Sequence, residues 1–302
     1  MIETLYNLKK WLTNTYIKYL TVDGKYSSLL PDKIYLQKLY KKRFNKTLNL
    51  KNPQTFNEKI QWLKLYNRKP EYTMMVDKYA VRQYIAAQIG EQYLVPLLGV
   101  WNTVEEINFE TLPNSFVLKA NHDNGVIICR DKSTLDLDET KKQLSYHLNR
   151  NYWKKYREWP YKNVKRKIIA EQFMENISKK ESIDFKLFCF NGVVKFCQVI
   201  SGRFSPNGVC VDMYDFSWNH LDIKEGNYPN AGDVFEKPNC MNELKDIAQK
   251  LSQNIPFLRV DFNYWNNKLY FGELTFFPFA GFIEYYPLHW GKTFGDWLKL
   301  PK

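Results

Sequence analysis

The sequence lacks several features that mark common classes of protein. Its cysteines form no CxxC pair and stand apart along the chain, at Cys129, Cys189, Cys197, Cys210 and Cys240. We therefore expect reduced thiols and a cytoplasmic protein, not a disulfide framework. No apolar run resembles a signal peptide or is long enough to span a bilayer. The histidines show no zinc-ligand spacing, and internal repeats and low-complexity segments do not occur. These absences disfavour a secreted, membrane-spanning, zinc-binding or repeat protein.

What the sequence does contain is an excess of positive charge on an ordinary globular composition. Of its 302 residues, 44% are hydrophobic and 25% are charged, and the net charge is +12. This length and apolar content allow one large or two modest domains. The positive charge favours polyanionic partners, among them nucleotides, anionic glycans, nucleic acids and lipid head groups.

The N-terminal region, residues 1–70, is basic, aromatic and predicted to be helical. Its first segment, MIETLYNLKKWLTNTYIKYL, resembles an amphipathic helix. Such a helix either packs on its own domain or contacts a membrane surface or a partner, and both alternatives stay open. Further on, Thr55 or Asn57 is expected to begin a helix that runs from about Glu58 to Tyr66.

The rest of the chain alternates capped helices with short strands. DKYAVRQYIAAQIG is predicted to be a helix capped by Asp77, and STLDLDETKKQLSYHLNRNYWKKY a basic helix. Strands are predicted for SFVLKAN, KIIAEQFM, SIDFKLFCFNG and VVKFCQVISGRF, with Asn-Gly turns at 191–192 and 207–208. Helices followed by mainly antiparallel strands indicate an α+β protein.

The segment FLRVDFNYWNNKLYFGELTFFPFAG, residues 257–281, predicts a hairpin with unusual charges. Arg259 and Asp261 share one strand face. With an odd loop such as Asn266–Lys268, Asp261 lies opposite Glu273, where like charges repel. A shared proton, Arg259 or a divalent cation would compensate, and two carboxylates suit Mg²⁺ holding phosphates. The alternative is a pair of solvent-exposed acids on an edge ribbon.

Two further clusters precede this hairpin. Lys119 ends an apolar strand and is followed by the polar loop ANHDNG, an arrangement that can cradle phosphates, although it is not a Walker A sequence. IIAEQFM places the polar Glu171 near Phe173 and Met174, which suits an adenine slot. Asp184 then shares a strand face with Lys186.

Taken in order, these motifs resemble the ATP-grasp superfamily. Similarity to its TupA-like branch, named for teichuronopeptide synthesis, is found in the segments FNEKIQWLKLYNR, DKYAVRQYI, FVLKANHDNG and DFKLFCFNG. The resemblance covers roughly residues 55–290. It implies an ATP-grasp fold over 71–302, in which two α+β subdomains grip ATP. The lid subdomain would span about 115–175 and the metal-binding catalytic subdomain 176–302, with residues 1–70 as a helical basic extension.

The resemblance also implies roles for fourteen residues. The nucleotide-binding residues would be Lys78, Lys119, His122, Asn124, Gly125, Glu171, Phe173, Met174 and Asp184. The Mg²⁺ ligands would be Asp261, Glu273 and Thr275, and the catalytic residues Arg259 and Lys186. Residues 121–125 would form a mobile loop over the triphosphate, in which His122 is either a contact or a bystander. Many superfamily members have Asn where Thr275 stands, which puts the second metal ion in doubt.

The function that this resemblance implies is an ADP-forming carboxylate–amine ligase. It would use ATP and Mg²⁺ to join a uronic-acid or other anionic glycan acceptor to an amino acid or amine, in the cytoplasm or at the inner face of the membrane. Alternatives are a phosphotransferase acting on a glycan, a glycosyltransferase using DLD at 136–138, and a non-catalytic polyanion-binding protein. The basic run KKYREWPYKNVKRK is either a solvated face or a site for an anionic substrate. We expect no nucleic acid partner.

Overall fold

A computed structural model describes residues 21–24, 27–174, 183–203, 205, 208–231 and 235–301. The amphipathic segment at the N-terminus and the position of Asn207 in the second Asn-Gly turn lie outside these ranges. Within them the chain mixes helices with antiparallel sheets, which confirms the α+β prediction. Every helix in these ranges is too short or too polar to cross a lipid bilayer.

The described residues form eight α-helices. They are α1 (Asp32–Phe44), α2 (Phe56–Tyr66), α3 (Glu71–Val76), α4 (Val81–Ile89), α5 (Leu137–Asn149), α6 (Tyr152–Tyr156), α7 (Met241–Leu251) and α8 (His289–Trp297). Helix α2 begins with a capping box, in which the Thr55 hydroxyl accepts from the main-chain N–H of Glu58 and the Glu58 carboxylate accepts from that of Thr55. Asp77 Oδ1 accepts from the N–H groups of Tyr79 and Ala80 at the start of the α4 segment. Both helix starts agree with the sequence prediction.

One antiparallel sheet has four strands. It consists of β1 (Leu97–Trp101), β2 (Phe116–Ala120), β3 (Val126–Cys129) and β4 (Ile168–Gln172), in the order β1-β4-β2-β3. Phe116 and Leu118 of β2 are buried together with Leu144 of α5, whereas Val117 and Lys119 face the opposite side. The period-two alternation of β2 thus separates a small core from a polar face.

A second antiparallel sheet has five strands. The remaining strands are β5 (Ile183–Phe190), β6 (Val193–Ser201), β7 (Cys210–Tyr214), β8 (Lys224–Glu225), β9 (Phe257–Trp265), β10 (Lys268–Thr275) and β11 (Tyr285–Tyr286). The order of the large sheet is β10-β9-β5-β6-β7, and β8 pairs with β11. Helices α2, α7 and α8 bury their apolar sides against it in the largest hydrophobic cluster. Asn191 and Gly192, both with positive φ, form the predicted turn between β5 and β6.

In the hairpin of β9 and β10, Asp261 pairs with Glu273 as expected, but the loop and the strand register differ from the prediction. Its loop has two residues, because Trp265 pairs with Lys268 and both Asn266 and Asn267 have positive φ. The prediction of a loop with an odd number of residues is therefore wrong. With this two-residue loop, an unbroken strand register would place residue 272, not Glu273, opposite Asp261. A bulge between Phe271 and Glu273 shifts the register by one, and Glu273 becomes the partner of Asp261.

The first described helix packs as a separate small cluster. Leu36, Leu39 and Tyr40 of α1 are buried together with Leu48, and Tyr156 and Phe282 lie against them. By contrast, α2 contributes Phe56 and Ile60 to the core of the five-stranded sheet, although it lies within the predicted N-terminal region. The division of the chain at residues 70, 115 and 176 stays a prediction.

Candidate active site

A cavity of about 680 Å³ lies between the polar faces of the two sheets. Ten of the fourteen predicted site residues line it: Lys78, Lys119, Asn124, Glu171, Phe173, Met174, Asp184, Lys186, Asp261 and Glu273. The structure thus brings together residues that are far apart in the sequence. The other four, His122, Gly125, Arg259 and Thr275, are not among the described residues that line the cavity.

On the five-stranded sheet, Arg259 and Asp261 form a buried bidentate ion pair. The guanidinium donates from Nε to Asp261 Oδ1 and from Nη2 to Asp261 Oδ2, each at 2.7 Å. Lys186 is the register partner of Asp261 on β5, and its Nζ lies 3.3 Å from Asp261 Oδ2. Arg259, one of the three solutions proposed for the opposed acids, therefore compensates the charge of Asp261, and Lys186 adds a second cation that was not proposed.

Glu273 faces the same cations from β10. Arg259 Nη2 donates to Glu273 Oε1 at 3.2 Å, and the Thr275 hydroxyl donates to the same oxygen at 2.9 Å. Burial alone would raise the pKa of Glu273, but Lys78, Arg259 and Lys186 lower it to about 2. Its side chain is 41% exposed. Glu273 is therefore ionised at neutral pH, and its carboxylate opens onto the cavity.

Lys78 is held by the loop that follows β2. Its Nζ donates to the main-chain oxygen of Asp123 at 2.8 Å, and its main-chain N–H donates to the oxygen of Asn121 at 3.0 Å. Burial lowers the pKa of Lys78, and Glu273 opposes that shift. Asn121 also donates to Asp77 Oδ1 at 2.8 Å, which ties this loop to the start of the α4 segment.

The polar loop itself is anchored at two points. The Asp123 carboxylate is fully buried and bonds to His147 Nδ1 at 2.8 Å and to Arg150 Nη1 at 3.2 Å, both near the end of α5. The sequence motif ANHDNG indicated a phosphate loop, but it was not predicted that the side chains of Asn121 and Asp123 anchor this loop to the rest of the protein. Polar residues directly after an apolar strand were the available signal. The mobility expected for this loop stays a prediction.

Glu171 lies between two cations. Lys119 Nζ donates to its Oε2 at 2.6 Å, and Arg82 Nη1 donates to its Oε1 at 3.1 Å. Arg82 also donates to the main-chain oxygen of Val95 at 2.7 Å. Arg82 was not predicted as a site residue, although it follows Lys78 by four residues at the start of α4. The Glu171 carboxylate is thus paired with the lysine that is expected to bind phosphate.

Most of the chain matches a known family. The model of the TupA-like ATPgrasp family matches residues 58–299. The chain belongs to the TupA-like ATP-grasp family. The match covers both sheets and the cavity between them, which confirms the resemblance inferred from the motifs and assigns the ATP-grasp fold.

Several solved structures resemble the TupA-like chain at low identity. D-alanine–D-alanine ligase from Bacillus anthracis, complexed with ATP, is 17% identical with a TM-score of 0.38, and the match covers 67% of this chain and 53% of that chain. L-amino acid ligase from Bacillus licheniformis is 14% identical with a TM-score of 0.43, over 81% of this chain and 55% of that one. The chain thus spans little more than half the length of these ligases. The comparison with curated proteins returned no match.

Asp184, which also lines the cavity of this TupA-like protein, is paired with a residue that was not predicted. Arg203 Nε donates to Asp184 Oδ2. Burial raises the pKa of Asp184, and Arg203 opposes that shift. Phe173 and Met174 line the apolar part of the cavity, and the Arg130 guanidinium lies 5.0 Å from the Phe173 ring centroid. A ribose hydroxyl that bonded to Asp184 would have to share the Asp184 carboxylate with Arg203.

Two loop residues of the predicted nucleotide site do not line the cavity. His122 is 2% exposed, and its Nε2 lies 3.1 Å from the main-chain oxygen of Arg150. A Cβ on Gly125 would lie 2.2 Å from the ring of His147, so only glycine lets that ring stay where it contacts Asp123. The roles of His122 and Gly125 as nucleotide contacts stay predictions, and the structure supports a structural role for Gly125.

The carboxylates fit a magnesium ion that is bound chiefly through phosphates. Both oxygens of Asp261 face cations, while Glu273 Oε2 accepts no hydrogen bond from a described residue. No group of three or more His, Cys, Asp or Glu suited to a metal occurs in the described ranges. Mg²⁺ commonly takes one or two carboxylates and completes its shell with phosphate oxygens and water. Thr275 bonds to Arg259 and Glu273, so its role as a ligand stays a prediction.

The DLD motif has a structural explanation. Asp136 Oδ1 accepts from the main-chain N–H of Glu139 at 2.9 Å and thereby caps α5. Asp138 and Glu139 then occupy the first turn, where negative charge is favourable. Because DLD caps a helix, the motif no longer supports the glycosyltransferase alternative.

Proposed function

We propose that this protein is an ATP-dependent carboxylate–amine ligase that forms an amide through an acyl phosphate. The observation that carries the proposal is that the opposed pair of Asp261 and Glu273 lines the same cavity as three lysines. Lys78 and Lys119 come from one side of the cavity, and Lys186 comes from the other. Such a site is suited to the charge of a triphosphate during phosphoryl transfer.

The cavity suggests an orientation for ATP. The adenine would lie against Phe173 and Met174, and the phosphates would extend past Lys119 toward Glu273. Because Lys119 is bonded to Glu171, phosphate binding would exchange one anionic partner of this lysine for another. Asp261 and Glu273 would hold Mg²⁺, which would neutralise phosphate charge and polarise the transferred group.

The chemistry would proceed in two steps. A carboxylate oxygen of the acceptor attacks the γ-phosphorus, the bond to the β–γ bridging oxygen breaks, and ADP leaves. An amine then attacks the acyl carbon, inorganic phosphate leaves, and the amine loses a proton. Arg259 and Lys186 keep positive charge beside the transferred phosphoryl group, and both sheets exclude water that would hydrolyse the acyl phosphate.

For the acceptor we propose a uronic-acid or similar anionic polysaccharide precursor of the cell surface, and for the nucleophile an amino acid or another amine. The net charge of +12 supports an anionic acceptor. We further propose that the enzyme works in the cytoplasm, where ATP is present, with a membrane-surface contact of the N-terminal segment as an open alternative.

Product analysis tests this proposal. The enzyme is incubated with Mg-ATP, a carboxylated oligosaccharide and a panel of amino acids, and products are identified by mass spectrometry and phosphate release. We expect ADP, free phosphate and an amide, with none of them formed by Arg259→Met. If the product is instead a stable phosphate ester that contains no amine, the ligase proposal is wrong and the enzyme is a phosphotransferase.

A further inference from the structure

The positive charge of the chain is concentrated in one segment. Residues 141–167, from the second turn of α5 to the start of β4, contain ten Lys and Arg against a single acid, Glu158. The segment therefore carries nine of the twelve net positive charges of the whole protein. Glu158 is only 6% exposed, so the surface of the segment is almost purely cationic.

Most of these cations have no acidic partner. Seven of them form no ion pair with a described acid: Lys141, Lys154, Lys155, Lys162, Lys165, Arg166 and Lys167. Lys154, Lys162 and Lys165 are exposed. Crowded like charges destabilise a folded protein by mutual repulsion. A surface that retains them is suited to a ligand that supplies negative charge.

Aromatic rings are interleaved with the cations. The Trp153 ring is half-buried and lies between the guanidinium of Arg157 at 5.5 Å and Lys162 Nζ at 5.2 Å. Tyr146 on α5 is 63% exposed. Aromatic faces next to cations can contact the apolar faces of sugar rings while the cations bind their carboxylates.

The segment also adjoins the catalytic cavity. Arg150 donates to Asp123 Oδ1 and to Asn124 Oδ1 in the phosphate loop, at 3.2 and 3.3 Å. Tyr152 and Tyr161 pack edge to face with ring centroids 4.9 Å apart. Burial raises the pKa of Tyr161, and Glu158 and Glu273 raise it further, which places this end of the segment within the field of the Glu273 carboxylate.

We propose that the surface of residues 141–167 docks the acceptor as a carboxylate-bearing polysaccharide chain and leads it to the cavity at Glu273. The inference rests on the proposed ligase function, because that reaction consumes a carboxylate. The new element is the binding site for the part of the polysaccharide that lies beyond the reacting carboxylate. Contact with several exposed lysines also gives the affinity a strong dependence on salt.

A charge-reversal pair tests the docking surface. One variant carries Lys154→Glu, Lys162→Glu and Lys165→Glu. The matched control carries Lys224→Glu, Lys268→Glu and Lys299→Glu, which are also exposed and change the net charge equally. Binding of fluorescent polygalacturonate is measured at several salt concentrations, with duplex DNA and phosphatidylserine vesicles as competing probes. Mg-ATP binding is followed in parallel by thermal shift.

We expect the surface variant to bind polygalacturonate on the order of tenfold more weakly at low salt, with a shallower salt dependence, while the control binds like wild type. Both variants should retain the Mg-ATP shift. Equal binding by the two variants would overturn the proposal, and so would absent wild-type binding or tighter binding of DNA or vesicles than of polygalacturonate. Loss of the ATP shift in wild type would instead refute the proposed function, independently of the polymer result.

Discussion

Asn121 provides a sharp test of how the phosphate loop is held. Its side chain is fully buried and makes three hydrogen bonds: Nδ2 donates to Asp77 Oδ1 at 2.8 Å and to the Lys165 oxygen at 2.9 Å, and Oδ1 accepts from the Lys167 N–H at 2.8 Å. The residue thus connects the start of the α4 segment, the phosphate loop and the approach to β4. We predict that Asn121→Ala destabilises the protein and weakens ATP binding.

The expected magnitude follows from the groups left behind. An unsatisfied buried donor or acceptor costs about 1–3 kcal/mol. Asp77 Oδ1 keeps its bonds to Tyr79 and Ala80, so the main losses are at Lys165 and Lys167. We therefore expect Asn121→Ala to lower the free energy of unfolding by about 2–4 kcal/mol. Asn121→Asp should cost at least as much at neutral pH, because a carboxylate would face two acceptors.

Urea denaturation followed by circular dichroism measures the loss of stability, and titration calorimetry measures Mg-ATP affinity. Asn102→Ala is the control, because Asn102 is exposed and, among the described residues, its side chain accepts only from Lys167 Nζ. It should change the free energy of unfolding by less than about 0.5 kcal/mol. An Asn121→Asp variant as stable as wild type would refute the assignment of these hydrogen bonds.

Three further predictions concern the cavity. Millimolar Mg-ATP should raise the melting temperature by mass action, and Lys119→Ala should lose most of that rise; an undiminished shift would remove Lys119 from the phosphate site. Asp261→Asn should keep the fold but lower turnover by about a hundredfold or more, because the isosteric amide removes a charge from the metal site; near-normal turnover in the ADP-release assay would contradict this. Burial raises the pKa of Glu158 to about 7, so its contribution to stability is complete below about pH 4.5 and is lost as the pH rises through 7. Denaturation series at several pH values should therefore show Glu158→Gln gaining roughly 2–4 kcal/mol relative to wild type over this interval, and a constant difference would contradict the shift.

The sequence predicted those parts of the fold that local patterns encode. The caps at Thr55, Asp77 and Asp136 and the apolar alternation of the longer strands are local signals, and their helices and strands are present. Strands β3, β8 and β11 have two to four residues, too few for a periodic pattern. Helix α8 contains Gly291 and Gly295, which lower helix propensity, and is held by the packing of its Phe294 against the large core.

For the site, the sequence predicted which residues meet but not how they meet. Asp261 and Glu273 are paired as expected, yet the pairing depends on a bulge at Gly272 that compensates a loop one residue shorter than assumed. No alternation pattern reports a bulge of this kind. The bond from Arg82 to Glu171 joins residues 89 positions apart, a separation that no local sequence pattern spans.

Helix α1 lies outside the part of the chain that the family model matches, yet it contacts that part at two residues that are distant in the sequence. Tyr156, which precedes β4 in the chain, and Phe282, which follows the hairpin of β9 and β10, both pack on its apolar side. Arg157 reaches back to the main-chain oxygen of Ser27 at 3.0 Å. A chimera that exchanged residues 27–50 between relatives would therefore need matching side chains at 156, 157 and 282. Sequence change in this helix should accordingly be correlated with change at those three positions, and aligned relatives would show it as covariation across the boundary of the family match.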